Sequence, residues 1–244
     1  MGAAGLDRLD AGRRLAVSDQ RAEAETDWQG HIDREDARYA DGESRLGDAV
    51  SDSDARQRQL TRLGNASAGA GLALLMAGRR EEAAKRLVRA AERYRESFAE
   101  APPGSWGRPI GAIKARILAD DWEGATADAR WALEAGSAAA DSPIGRYAAA
   151  LACLVLAHNE EARVHADAIR IRDDFPAEVG DALAFIAAHD VVGYTLAVEG
   201  VLDSFESRDE YLEEIPVADT VLVLQALAAQ RGLAAELSSP LLPD

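Results

Sequence analysis

A single cysteine, Cys153, stands in the whole 244-residue chain. An internal disulfide framework is therefore excluded, and a reducing, cytoplasmic setting is expected. Lysine is nearly missing too: Lys85 and Lys114 are the only two, so the basic residues are almost all arginine. Positive charge is scarce overall, with 27 Lys and Arg against 43 Asp and Glu and a formal net charge of −16. Such a chain has little to spare for phosphates, which argues against a nucleic-acid partner and against an anionic membrane surface. Long apolar runs are lacking. The longest, Tyr147 to Ala157, falls far short of the ~20 residues that a membrane span needs. The opening MGAAGLDRLDAGRR carries no apolar signal-peptide core. Aromatic residues make up 5%, so a core has to come from aliphatic and small side chains, as in close-packed helices. No stretch reads as a convincing strand, except for a short extended piece near Ala234 to Ser238, so no glycine-rich phosphate loop has a strand to follow.

What the chain does have is helical periodicity. In Ser105 to Ala135, Ile110, Ile113, Ile117 and Leu118 share one helix face. Asp120 and Asp121 then offer a cap for a second helix with Trp122, Ala125, Ala129, Ala132 and Leu133 on its inner face. Gly136 fits a left-handed stop. Upstream, Ala55 to Ala77 and the run from Arg79 to Ala101 read as a hairpin. The glycines of its first helix, Gly64, Gly69 and Gly71, are expected where helices approach closely. Downstream, Ser142-Pro143 starts a helix with Ile144, Tyr147, Leu151, Leu154 and Val155 inward. A turn at His158-Asn159 leads to its partner, Glu160-Glu161-Ala162 and on through Ala166 and Ile169. A further pair carries Val179, Leu183 and Ile186, then Val191, Tyr194, Val198, Val201, Leu202 and Phe205. From Pro216 to Gln230 the apolar residues go nearly all round, which places that helix inside. The expected buried set is Leu74, Leu87, Ile113, Ile117, Leu151, Leu154, Leu183, Val198, Leu202, Val221 and Leu224.

These hairpins repeat. Ala83, Ala125, Ala162 and Ala197 each follow a turn and recur about every 35–42 residues, near the ~34-residue period of tetratricopeptide repeats, which they resemble in degenerate form. The expected fold is all-α: antiparallel hairpins stacked as a tetratricopeptide-like array or an irregular helical bundle. Residues 1–53 read as a polar helical segment packing on a main α-hairpin domain, 54–244.

Little in the chain suggests chemistry. His158, Glu161 and His165 are spaced i, i+3, i+7 and form a weak metal half-site on one helix face, the alternative being exposed residues of a hairpin rim. Cys153, in Ala-Leu-Ala-Cys-Leu-Val-Leu-Ala, reads as buried and inert. His189-Asp190 reads as capping. No cofactor is implied and no enzyme is expected. Trp106, partly exposed in a Pro/Gly-rich loop beside Arg108, suits an interface anchor. The densest acidic stretch, Glu199 to Glu214, is either a solvated face or a docking site for a cationic surface; Glu206, Asp209, Glu210, Glu213 and Glu214 are its candidates.

The closing stretch runs from Ile215-Pro216 through an aliphatic helix to Arg231-Gly232, then to Ser239-Pro240 and Leu242-Pro243. Together with the pair holding Asp190 and Tyr194, it resembles the immunity protein 49 family of polymorphic-toxin systems over the last third of the chain. Leu241 stands where that family has an aromatic residue. The resemblance implies a non-catalytic protein that neutralises a co-encoded toxin by stoichiometric binding. A basic toxin domain suits an acidic inhibitor. The alternative is a tetratricopeptide-like adaptor of a salt-adapted prokaryote, binding a peptide or protein. Salt adaptation predicts a melting temperature that climbs from dilute to molar salt as carboxylate repulsion is screened; a flat profile removes that reading.

Overall fold

The computed structural model describes residues 26–47 and 52–243. The weak apolar spacing of Leu6, Leu9 and Leu15 lies outside them. Among the described residues the chain forms ten α-helices and two 3-10 turns, with no strand. The helices are α1 (Trp28–Leu46), α2 (Ser53–Met76), α3 (Arg80–Phe98), α4 (Gly107–Leu118), α5 (Trp122–Glu134), α6 (Pro143–Val155), α7 (Asn159–Arg170), α8 (Ala177–Ala188), α9 (Val191–Glu206) and α10 (Asp219–Ala229). The turns are Ser137–Ala139 and Leu212–Glu214.

The boundaries follow local chemistry. Asp52, Asp121, Ser142 and Asp190 are N-caps whose side chains accept from backbone amides two or three residues on. Pro143 occupies the first turn of α6, where its missing amide costs nothing. Gly78 and Gly136 take left-handed backbone after their helices, at φ 72° and 96°. His189 does the same at φ 57° before Asp190 caps α9, so this pair is indeed a capping turn.

Each helix packs on the next, giving stacked antiparallel hairpins from α1 to α9. Within the row, α4 touches α6 and α6 touches α8, so the first helices of successive hairpins form an inner layer. Close approach is set by small residues: Ala83, Ala125 and Ala162 are fully buried at the start of the second helices. A β-carbon on Gly71 would lie 2.7 Å from Leu87 Cγ, so α2 and α3 could not meet there with any larger residue. Tyr94 of α3 is clasped in the same way, between Gly64 of α2 and Gly111 of α4.

All eleven residues expected in the core are buried. The main cluster runs from α4 to α10, and a second joins α1–α4 to Ile215 and Val217. Helix α10 departs from the hairpin order. It turns back and packs on α4, α8 and α9, with Val221, Val223, Leu224 and Leu227 at 0% exposure. The all-round apolar pattern had this meaning. Its start lies at Asp219 rather than Pro216, because residues 215–218 are not helical: the Val217 amide donates to the Ile215 carbonyl at 2.8 Å in a tight turn.

Three expectations need correction. The piece near Ala234 to Ser238 is irregular and pairs with no strand; the side chain of Gln225 serves as its partner instead. Gln225 Nε2 donates to the Ala235 carbonyl at 2.6 Å, and its Oε1 accepts from the Ala235 amide at 3.0 Å and the Tyr194 hydroxyl at 2.6 Å. Ile144 and Val191 are 44% and 50% exposed, each in the first turn of its helix, α6 and α9. His158, Glu161 and His165 do not share a face. His158 is the non-helical residue before α7 and is exposed, whereas His165 is buried with Nδ1 3.3 Å from Arg146 Nη1. Among the described residues no cluster of three His, Cys, Asp or Glu could hold a metal ion.

Candidate functional site

Helix α4 begins directly after the loop 99–106, and its first turn carries Gly107 and Arg108. The segment 207–218 crosses from α9 to α10 and brings the Leu212–Glu214 turn against α2. Two consecutive non-glycine residues of that turn, Glu213 and Glu214, are left-handed at φ 55° and 59°. Such backbone is costly for side chains with a β-carbon and persists only where contacts hold it. Here they do. Glu213 Oε1 accepts from Asn65 Nδ2 at 3.0 Å, its other oxygen pairs with Arg38 at 2.5 Å, and its carbonyl accepts from Arg34 at 2.8 Å.

Between this turn, α2, α3 and α4 lies a recess of about 370 Å3. Leu72, Leu87, Ile110 and Leu118 make its apolar wall; Trp106, Arg108, Asn65 and Glu213 lie on its polar side. A second recess of similar volume adjoins it, sharing Gly107, Ile110, Lys114 and Asp219. The Lys114–Asp219 ion pair, at 2.5 Å, separates them. Burial pulls the Lys114 ammonium down, but the Asp219 carboxylate beside it outweighs this and leaves it raised.

Arg108 is set differently. Its Nε donates to Ser97 Oγ at 2.7 Å and Thr61 Oγ1 at 3.2 Å, and Nη2 donates to Gln57 Oε1. Every one of these acceptors is neutral. Among the described residues no carboxylate lies within ion-pair distance, and burial lowers its affinity for the proton with no acid to offset it. Other partly buried cations, such as Arg116 and Arg93, do find carboxylates.

The structure therefore brings Trp106, Arg108 and Glu213 to one recess, although Glu213 is far along the sequence. It separates the remaining acidic candidates. Glu206, at the end of α9, accepts from Ser239 Oγ at 2.7 Å. Asp209 and Glu210 are exposed. The Glu214 side chain is 86% exposed against 14% for Glu213, so Glu213 looks inward as a structural tie rather than out to a partner. Asn65, Tyr94 and Lys114 were missed by sequence reasoning. Tyr94 donates to Asn65 Oδ1 at 3.0 Å, continuing the line to Glu213. The available signal was Lys114 itself, one of two lysines in an arginine-rich chain, on the apolar side of a helix.

Cys153 offers no nucleophile. It is 3% exposed, and burial pushes its thiol up to about 11. A disulfide-exchange reagent at pH 8 should leave it unlabelled in the native protein for as long as the chain stays folded. Rapid stoichiometric labelling would show that α6 opens readily.

No described helix is long and apolar enough to cross a membrane. The chain matches no protein-family model, no curated protein and no solved structure.

Proposed function

We propose that the protein is a non-catalytic binding protein that neutralises a co-encoded toxin by forming a stoichiometric complex. The observation that carries this over a peptide-receiving adaptor is the position of α10. A tetratricopeptide-type adaptor needs the inner layer of its hairpins free for an extended ligand. Here α10 lies on α4 and α8 of that layer with its apolar residues buried. With α4 and α8 covered, no continuous groove is left for an extended ligand, and the outer surface suits a folded partner. The resemblance of the last third to the immunity protein 49 family supports the same reading.

The partner face is the acidic rim Asp209, Glu210 and Glu214; Trp106, on the recess that also holds Glu213, is its aromatic candidate. Exposed carboxylates in a chain of net charge −16 attract a basic toxin domain and speed its capture. Arg108 is engaged internally and is a poor position to mutate in testing that face. Asp209→Arg with Glu210→Arg is the better variant, since both residues are exposed. The experiment is co-expression with the neighbouring gene product in a sensitive host. The wild type should rescue growth. The double variant should melt normally, yet associate more than tenfold more slowly at low salt. Absence of both rescue and a micromolar complex would overturn the toxin reading and return the adaptor to first place.

A further inference from the structure

We propose that the recess beside Arg108 is a binding site for a small amphiphilic monocarboxylate, its acid group on the guanidinium and its apolar body against α2, α3 and α4. This stands on the recess alone and is independent of the toxin reading. Three observations carry it. The first is charge. Two carboxylates reach the recess, and each already has its own cation: Glu213 pairs with Arg38 and Asp219 with Lys114. Arg108 is left as one positive charge without a counter-ion, held in place by Ser97, Thr61 and Gln57. One unit of positive charge in a half-buried place matches a monoanion. A phosphate dianion would leave negative charge uncompensated in apolar surroundings.

The second is geometry. The three internal bonds use Nε and one hydrogen of Nη2. Nη1 and the other Nη2 hydrogen keep the planar fork that carboxylates accept bidentately. The start of α4 adds only the Gly107 amide, which no side chain caps; the Arg108 amide already donates to the Ser105 carbonyl at 3.2 Å and Pro109 has none. The third is shape. A volume of about 370 Å3 falls in the range of small-molecule sites and holds about a dozen non-hydrogen atoms at ~30 Å3 each. The wall facing Arg108 is Leu72, Leu87, Ile110 and Leu118.

The test is calorimetric titration of the full chain with octanoate, 1-octanol and octyl phosphate. Octanoate should bind, with octanol and octyl phosphate each at least tenfold weaker. Arg108→Gln should abolish the preference for octanoate over octanol. Gly107→Leu supplies a second, steric variant: Gly107 lines the recess and a β-carbon there meets nothing within 4 Å, so the fold tolerates the added side chain while it takes up ligand space. It should weaken every ligand. Both variants are checked by thermal melting. Equal binding of octanol and octanoate, tighter binding of the phosphate, unchanged octanoate affinity in Arg108→Gln, or no heat at millimolar octanoate would each overturn the proposal.

Discussion

Leu224→Ala should lower the unfolding free energy by ~2–5 kcal/mol, the cost of removing buried methyl groups and leaving a cavity that cannot collapse. Leu224 is 0% exposed at the middle of α10, where α4, α8 and α9 meet the helix. Collapse is hindered on each of these sides, because all three neighbours are fixed by their own hairpins. The urea midpoint should fall with the slope unchanged, as for a cooperative unit that loses stability but not compactness. A shift below half a kcal/mol would show that α10 is dispensable, and the argument for an occupied inner layer would fail with it.

Replacing Arg34 and Arg38 together by methionine should cost about 3–5 kcal/mol, because it strands a buried carboxylate. Glu35 has a side-chain exposure of 0% and is bonded by Arg34 Nε at 3.0 Å and Arg38 Nη1 at 2.8 Å. The same two arginines tie down Glu213, so the Leu212–Glu214 turn should loosen as well. Adding Glu35→Met to the double variant should restore most of the loss, since an apolar trio of similar volume needs no desolvated charge. A double variant that unfolds within 1 kcal/mol of the wild type would mean that water reaches Glu35.

The helices were legible because their apolar residues keep a 3.6-residue period and their ends carry Asp, Ser, Pro and Gly in the expected places. Helix α10 was legible for the opposite reason, as it has no polar face. The recess was not legible as a unit. Arg108 opens the α4–α5 hairpin and Glu213 follows α9, 105 residues later, and no local period links α4 to the segment 207–218. One sign was present. Arg108 has Gly104, Ser105, Gly111 and Ala112 at helical spacing, so no acid could reach it from its own helix. The His158–His165 spacing misled because it assumed both residues were helical, whereas the helix begins at Asn159.

The return of α10 has a consequence for the chain during synthesis. Lys114 and its partner Asp219 are 105 residues apart, so α4 leaves the ribosome long before the helix that covers it. At ~5–20 residues per second the interval is on the order of 5–20 s. Throughout it the apolar face of α4 that α10 will occupy is open to other nascent chains and to proteases, and the face of α8 joins it once residues 177–188 have been made. The hairpins can form one by one as they emerge, but the main core closes only when α10 arrives. A ribosome that stalls after α9 should therefore release a product with native-like helices and an uncovered inner layer, a substrate for chaperones rather than a smaller working protein.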